Sequence, residues 1–299
     1  MKILQLFSIS LISILLASCD FFKPPPPDIA FADYDEPYSS KMDFARLEHE
    51  YPLSIEDRMK ITPENLAVLS QEQVDQIYAR LTAGPIPDGA FDGGLFFPKG
   101  SSGKSRLVEI IKGDKKGLKV KLRGMAVKYK MSKLETLGHV LWKGKVFYKD
   151  ERVLRNRIED LAALKPIIEG SILDIPKIKV DHKDAWLMFP AKLYCGQSLL
   201  DGRRESIIID YAFTDEIEGY RQRPDYLAGR NAFQVRDEIR MVRPGFYIGR
   251  AYLRRFFLLN FTLYNKEIAK RAKDDFLKTG AVTEDCWSGE QQRLLTVQR

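Results

Sequence analysis

Residues 54–84 carry apolar side chains at helical spacing behind clear start signals. Ser70 and Gln73 form a capping-box pair at the head of the most regular stretch, and Gly84 stands where a helix typically stops. The apolar positions that recur every three or four residues are Val74, Ile77, Tyr78 and Leu81. This periodicity predicts helices within 54–84, the clearest of which starts at Ser70.

Residues 118–264 mostly show the two-residue alternation of strands. The exception is a set of residues whose spacing predicts a helix face ending near Trp142, namely Met131, Leu134, Gly138 and Leu141. The turn signals Asp201-Gly202 and Pro244-Gly245 separate several of these segments. The predicted strands are 118–123, 143–149, 185–195, 204–213, 234–243, 246–253 and 256–264. A further helix is predicted at 266–279. These elements predict an α+β fold, in which amino-terminal helices precede an antiparallel β-sheet or small barrel and a carboxy-terminal helix.

Two stretches interrupt this pattern. Residues 84–94 are rich in glycine and proline, and their Pro-Asp-Gly and Asp-Gly-Gly triplets are typical of tight turns. Residues 150–184 form a long insert between predicted strands. We therefore expect a loop at 84–94, and the insert leaves open whether the sheet closes into a barrel.

The amino-terminal segment has the order of a bacterial export signal. A positive charge at Lys2 precedes an apolar run, and the small residues Ala17 and Ser18 stand before Cys19. The sequence Leu16-Ala17-Ser18-Cys19 resembles the lipobox of bacterial lipoproteins, in which the cysteine becomes the lipidated first residue of the mature protein. A cleaved signal peptide without lipid and an uncleaved anchor helix are the alternatives, although the apolar run is short for a spanning helix.

This resemblance implies acyl chains such as palmitate on Cys19 and a location on the extracytoplasmic, periplasmic side of a bacterial cell membrane. Two acyl chains bind a membrane stably, whereas one binds it only marginally. Asp20 follows the cysteine and resembles an inner-membrane retention signal, which favours the inner membrane over the outer one.

The chain divides into three parts on this interpretation. Residues 1–18 are the signal peptide, residues 19–45 are a lipidated, proline-rich tether, and residues 46–299 are a single α+β domain. Residues 24–27 are four consecutive prolines, which favour an extended, semi-rigid segment. We expect the tether to hold the domain away from the bilayer without a fold of its own.

Positive charge is concentrated in one segment of the domain. The chain has a formal net charge of +7, yet residues 104–149 alone hold fourteen lysines or arginines against three acids. Such a segment fits either a solvated face of a strand and a helix or a patch that binds envelope polyanions and anionic headgroups. Nucleic acid is not an expected partner outside the cytoplasm.

Cys195 and Cys286 remain once Cys19 is acylated. Outside the cytoplasm two such cysteines can pair as a disulfide. Two unrelated buried thiols are the alternative, because sequence spacing carries no information on spatial distance.

Signatures of common metal and cofactor sites are missing from the sequence. The three histidines, His49, His139 and His182, are far apart and do not suggest a set of zinc ligands. The sequence also has no Gly-x-Ser-x-Gly motif, which weakens a hydrolase interpretation. We therefore expect neither a metal nor a cofactor, and an enzyme is the less favoured class.

Polar residues within the apolar carboxy-terminal strands are the candidate site. Asp237 shares a strand face with apolar residues, Arg250 alternates with aromatic and aliphatic ones, and Asp210 ends an isoleucine run. Neighbouring strands would bring Asp237 and Arg250 together, either as a buried salt bridge that fixes register or as the polar floor of a pocket. The candidate ligand-binding residues are Asp210, Asp237, Tyr247 and Arg250. Asp210 and Asp237 are also the catalytic candidates.

Short motifs in these strands are similar to those of a known type of protein. They are Trp142-Lys143-Gly144-Lys145-Val146-Phe147, Asp201-Gly202, Ser206-Ile207-Ile208-Ile209-Asp210-Tyr211, Asp237-Glu238-Ile239-Arg240 and Pro244-Gly245-Phe246-Tyr247-Ile248-Gly249. Over residues 84–262 the chain resembles uncharacterised bacterial proteins with a calycin-like or lipocalin-like β region. The resemblance implies a small barrel of about eight strands with a ligand cavity, and it carries no established active site.

Three functions are compatible with these features. The first is a membrane-anchored lipoprotein of the bacterial cell envelope that binds a small hydrophobic or amphipathic ligand. The second is an envelope enzyme that uses a buried aspartate as acid or base. The third is a structural or interaction lipoprotein that uses the basic segment 104–149.

Overall fold

Antiparallel strands form the body of the protein. The computed structural model describes residues 24–33, 43–97, 142–162, 164–165 and 168–289. In these residues the strands are β1 Gly89–Phe96, β2 Trp142–Tyr148, β3 Val153–Ile158, β4 Lys177–Val180, β5 Lys183–Gln197, β6 Glu205–Asp210, β7 Val235–Arg243, β8 Phe246–Leu253 and β9 Phe256–Tyr264. Their order in the sheet is β3-β2-β1-β9-β8-β7-β6-β5-β4.

Pairing between β3 and β5 closes eight of these strands into a barrel. Val153 lies opposite Lys192, and Ile158 lies opposite Trp186. With 15 residues, β5 is long enough to pair with β3 and the short β4 along one half and with β6 along the other. The fold is therefore a closed, antiparallel, eight-stranded barrel with a few helices, and the prediction of an antiparallel sheet or barrel is confirmed.

The expected loop at 84–94 is wrong from Gly89 onward, because β1 begins there. The glycines of segment 84–94 suggest turns in the sequence. In the structure they allow close packing within the strand. A Cβ atom at Gly93 would lie 2.4 Å from the ring of Trp142. Glycine is thus needed where a strand and a large ring approach this closely.

The insert expected at 150–184 contains β3, the strand that closes the barrel. Asn156 occupies an inward position between Leu154 and Ile158, and the intervening residues are arginines. The alternation of apolar and polar residues that marks a strand is therefore weak here, because one of the inward residues is polar.

Strands β1 and β2 are neighbours although the chain leaves the barrel at Phe97 and returns at Trp142. Their antiparallel register pairs Gly89 with Phe147 and Asp92 with Gly144. Both ends of segment 98–141 are therefore attached at the same end of the barrel. The predicted strand 118–123 and the predicted helix face at residues 131–141 fall in this segment, outside the described residues.

Short helices with polar caps accompany the barrel. They are α1 Phe44–Glu50, α2 Ile55–Lys60, α3 Pro63–Leu66, α4 Gln71–Ala79, α5 Gln222–Asp225 and α6 Lys266–Thr279. Ser54, Thr62 and Ser70 each accept the backbone N–H three residues on and complete a capping box. None of the helices in the described residues combines the length and apolar character that crossing a membrane requires.

The barrel wall packs against apolar groups on both of its faces. The inward cluster includes Phe91, Phe147, Leu154, Ile207, Ile209, Ile239, Met241, Tyr247, Phe261 and Leu263. The outward cluster, beneath the helices, includes Leu66, Leu69, Val74, Ile77, Tyr78, Val242, Phe246 and Ile248. Every residue of β8 is buried, so this strand has no solvent-facing side.

Two arginines on the outward face of β7 and β8 are buried beneath the helices. Arg240 is completely buried and donates to Asp201 Oδ2 at 3.1 Å, as well as to three backbone carbonyl oxygens. Arg250 forms a charged hydrogen bond with Asp75 on α4. If one partner of either pair moved away, the other would remain as a buried, uncompensated charge. The pairs therefore keep the surrounding elements in place on the barrel.

Residues 24–33, which the sequence places in the tether, lie against the helices. Gln76 on α4 forms two hydrogen bonds with the backbone of Ala32, at 2.9 and 3.0 Å. Ile29 and Phe31 pack on the outward apolar cluster. This part of the chain is therefore held on the domain and does not stand free of it.

We predict that Arg250→Met lowers the free energy of unfolding by about 3–5 kcal/mol, because Asp75 loses its buried counter-charge. Urea unfolding at neutral pH measures this loss. Arg46→Met is the matched control, because Arg46 pairs with Glu50 at 2.7 Å on the exposed surface. We expect no measurable change in the control, and equal effects of the two substitutions would contradict the prediction.

Candidate functional site

The barrel interior contains a polar cluster centred on Lys145. The alternation of β2 places Lys145 on the inner face together with Phe147, and only 3% of the lysine side chain is exposed. The ammonium group donates to Asn156 Oδ1 at 2.9 Å, to the Tyr211 hydroxyl at 2.6 Å and to Asp237 Oδ2 at 3.0 Å. We refer to Lys145, Asn156, Tyr211 and Asp237 as the polar cluster.

The members of the polar cluster come from different parts of the barrel wall. Asn156 belongs to β3, Tyr211 directly follows β6, and Asp237 belongs to β7. The Asn156 amide donates to the Tyr211 hydroxyl at 3.0 Å, and the Trp142 indole N–H donates to Asn156 Oδ1 at 2.8 Å. The cluster therefore ties separate strands together across the interior.

Burial dominates the electrostatics of the polar cluster. It lowers the pKa of Lys145, and the negative charge of Asp237 opposes part of that decrease. Burial, followed by the charge of Asp237, raises the pKa of Tyr211 well above its usual value, so the phenol keeps its proton at physiological pH. Three aromatic rings surround the ammonium group at 5.3–5.4 Å from their centroids, those of Trp142, Tyr211 and Phe261.

The polar cluster has little capacity left for a ligand. An ammonium group has three hydrogen-bond donors, and all three of Lys145 are used within the cluster. Asp237 is 5% exposed and already accepts from Lys145 and Tyr211. The arrangement is that of a closed polar network, which stabilises a single packing of the core when every member is satisfied.

A cavity of about 280 Å³ lies at the other end of the barrel. Alternation along β7 puts Asp237, Ile239 and Met241 on one inward face, so Ile239 separates the polar cluster from Met241 in the cavity wall. The residues that line it include Phe91, Met241 and Tyr247 from the barrel, Ile268 from α6, and Ala281 and Val282. The hydroxyl of Tyr247 donates to the carbonyl oxygen of Pro85 at 2.6 Å. The wall is therefore largely apolar.

Residues 281–289, called the strap below, cross this end of the barrel. A disulfide joins Cys286 of the strap to Cys195 of β5. Asp285 of the strap forms an ion pair with Lys149 at 2.8 Å. The backbone N–H of Glu205 donates to the carbonyl oxygen of Trp287 at 3.0 Å. The strap thus forms part of the cavity wall and is covalently tied to the barrel.

Glu205 stands beside the disulfide, and its carboxylate and the two sulfur atoms lie within 4.8 Å of one another. Metal ligation by cysteine requires the thiolate. Both sulfur atoms are bonded to each other in this structure, so this group does not serve as a metal site in the oxidised state.

The structure does not bring the four candidate ligand-binding residues together. Tyr247 lines the cavity and Asp237 lies in the polar cluster. Asp210 is on the outer side of β6, where it accepts from the Tyr194 hydroxyl at 2.9 Å. Arg250 is also on the outer side, beneath α4.

The expected pairing of Asp237 with Arg250 is wrong. In the β7–β8 register Asp237 lies opposite Ala251, and Arg250 lies opposite Glu238. Asp237 therefore points into the barrel, whereas Arg250 points towards the helices. Because β8 is buried on both faces, its apolar alternation does not reveal which face is the inner one.

Lys145, Asn156 and Tyr211 are missed as site residues by the sequence interpretation. Lys145 stands in a lysine-rich stretch and resembles a solvated surface residue there. The available signal is its spacing from Phe147, which places both on one strand face. Of the other basic residues, Lys149 pairs with Asp285, and those between 104 and 141 lie outside the described residues, as does Cys19.

Comparisons with known proteins give little further information. No family model matches the chain, and no curated protein matches it. The chain is similar to a solved structure described as the crystal structure of a protein from Thermomonospora curvata, with 14% identity and a TM-score of 0.34. This similarity covers 67% of this chain and 89% of that chain.

We predict that Asp237→Asn lowers the free energy of unfolding by about 3–5 kcal/mol, because Lys145 keeps a buried charge without its partner. The double substitution Asp237→Asn, Lys145→Met should recover part of this loss, since both charges are then removed. Urea unfolding of the three chains measures the effect. A double variant less stable than Asp237→Asn would contradict this account of the polar cluster.

Proposed function

We propose that this protein is a lipid-anchored binding protein of the bacterial cell envelope with a calycin-like barrel. Its cavity, lined by Phe91, Met241, Tyr247 and the strap, takes up the apolar part of a small hydrophobic or amphipathic ligand. The observation that carries the proposal is this cavity, which opens at the end of a barrel whose other end is filled by the polar cluster.

The size and lining of the cavity support a small ligand group. Its volume of about 280 Å³ is close to the lower end of the range of roughly 300–1,000 Å³ that is usual for small-molecule sites. The Tyr247 hydroxyl is already bonded to Pro85, so the inner wall offers no free donor there. A ring system or a short acyl segment fits such a space, with its polar end directed towards Asp88 and Thr283 at the rim.

Segment 24–33, which lies against the helices, supports a position of the domain close to the membrane. Cys19, the proposed acylation site, is five residues before Pro24. Five residues span at most about 18 Å even when fully extended. The domain is therefore held near the bilayer surface on this proposal, where lipid-derived and other amphipathic molecules are concentrated.

The alternative of an enzyme that uses an aspartate has less support. Asp237 is enclosed in the polar cluster and bound to Lys145, whereas a general acid or base must reach its substrate. Asp210 accepts hydrogen bonds from Tyr194 and from the backbone of Ala212. The alternative of an interaction lipoprotein depends on the basic segment 104–149, most of which lies outside the described residues.

We predict that Val282→Trp weakens binding of the apolar fluorescent probe N-phenyl-1-naphthylamine by about tenfold or more. Val282 is half-buried in the cavity wall, and an indole there occupies the space of the ligand. The titration uses the proposed mature chain, residues 19–299 with Cys19→Ser, because acyl chains would themselves bind the probe.

Val180→Trp is the matched control for this experiment. Val180 is also half-buried, but it lies on the edge strand β4, away from the cavity wall. We expect this variant to bind the probe as the unsubstituted chain does. No saturable binding by the unsubstituted chain, or equal weakening by both substitutions, would refute the proposed function.

We predict that the full-length protein incorporates an alkyne-tagged palmitate when it is produced in bacteria, and that Cys19→Ser abolishes this labelling. Click detection on a gel measures the incorporation. Cys195→Ser is the matched control, since it also removes one cysteine but leaves the proposed lipidation site. Labelling that persists in Cys19→Ser would argue against the lipobox interpretation.

A further inference from the structure

The strap combines three features in one short segment. Its first residues, Ala281 and Val282, form part of the cavity wall, and Cys286 follows four residues after Val282. The strap contains no helix or strand, and Cys286 is its one buried residue in the part of the chain that the structure describes. The disulfide is therefore the deepest attachment of a segment that forms part of the cavity wall.

We propose that the Cys195–Cys286 disulfide is a latch, and that a dithiol reductant widens the mouth of the cavity by releasing the strap. The opening of the strap is independent of what the cavity binds. Only its consequence for a ligand rests on the function proposed above.

The noncovalent contacts of the strap are partly exposed hydrogen bonds and an ion pair. The backbone of Trp287 forms two hydrogen bonds with Glu205, and the backbone N–H of Asp285 donates to the carbonyl oxygen of Gly84 at 3.3 Å. Asp285 accepts the backbone N–H of Ile86 at 2.7 Å and pairs with Lys149, whose side chain is 36% exposed. Glu284 accepts the backbone N–H of Gly84 at 2.8 Å. Partly exposed hydrogen bonds and ion pairs of this kind contribute little to stability. They guide the strap into place, but they do not hold it as a covalent bond does.

The strap starts directly after the glycine that caps helix α6. Helix α6 ends at Thr279, and Gly280 follows with a φ of +61°, in the left-handed region that glycine adopts readily. The strap is therefore joined to a fixed helix through a glycine. Release at Cys286 leaves this joint as the covalent link between the strap and the described barrel.

The order of release follows from the exposure of the two cysteine residues. Cys195 is half-buried, whereas Cys286 is 7% exposed. A thiolate of the dithiol attacks Cys195 Sγ, the disulfide breaks, and Cys286 leaves as a thiolate that takes up a proton. The second thiol of the reductant then displaces Cys195 and closes the reductant into its own disulfide. The protein gains two electrons and two protons, and the dithiol loses them.

The physiological partner implied by this chemistry is a dithiol oxidoreductase of the envelope. With the disulfide formed, ligand exchange is slow because the strap is part of the cavity wall. After reduction, exchange is fast. The structure thus assigns to Cys195 the role of the attacked sulfur and to Cys286 that of the released one.

Hydrogen exchange with mass spectrometry tests the release of the strap. The mature chain, residues 19–299 with Cys19→Ser, is compared before and after dithiothreitol. We expect peptides that cover residues 281–289 to exchange about tenfold faster or more after reduction, while peptides from β8 keep their protection. An unchanged strap would overturn the latch, and loss of protection in β8 would show that the disulfide holds the whole barrel together instead.

Stopped-flow mixing with N-phenyl-1-naphthylamine tests the widening of the cavity mouth. We expect the association rate constant to rise about tenfold on reduction. The Cys286→Ser chain should bind at the fast rate without reductant and should not respond to dithiothreitol. A faster-exchanging strap with an unchanged association rate would overturn the assignment that the strap restricts entry to the cavity.

The two proposals fail in different ways. If the probe does not bind in either redox state but the strap is released on reduction, the proposed function fails and the release of the strap stands. If the oxidised chain binds the probe and Val282→Trp blocks it, while reduction changes nothing, the latch fails and the proposed function stands.

Discussion

Pairing of β3 with β5 is the contact on which the rest of the structure depends. It joins the two ends of the eight-stranded sheet and leaves the short β4 as an edge. It also creates an interior that side chains must fill. The polar cluster around Lys145 fills one part of that interior with satisfied hydrogen bonds, and aromatic side chains fill the middle. The cavity remains at the end where the strap crosses.

Much of the barrel could be predicted from the sequence, because its carboxy-terminal strands are long, apolar and separated by clear turns. Strands β8 and β9 have the predicted bounds. The strands that complete the barrel could not be found in the same way. In β1, Gly93 makes room for Trp142 and weakens the strand pattern, and in β3 an inward asparagine replaces an apolar residue. Both departures from pattern are explained only by contacts with distant parts of the chain.

The candidate site was harder to predict than the fold, because its residues depend on which strand face is the inner one. The burial of Asp237 follows from its apolar neighbours in β7. The face of Arg250 does not, since helix α4 supplies a second apolar environment outside the barrel. Lys145 was missed for a different reason. It is a charged residue in a charged stretch, and nothing in the sequence shows that it is buried until its partners, Tyr211 and Asp237, are known.

The pairing of β1 with β2 bears on how the length of the connection between these two strands can change. Strands β1 and β2 set their own register, and the chain leaves at Phe97 and returns at Trp142 on adjacent strands. The entropic cost of a longer connection grows only slowly with its length. A connection between the ends of these two strands can therefore change in length at a small entropic cost, without a change in the β1–β2 register. A single-residue deletion in β5, in contrast, would shift the closing register and the position of Cys195 at once.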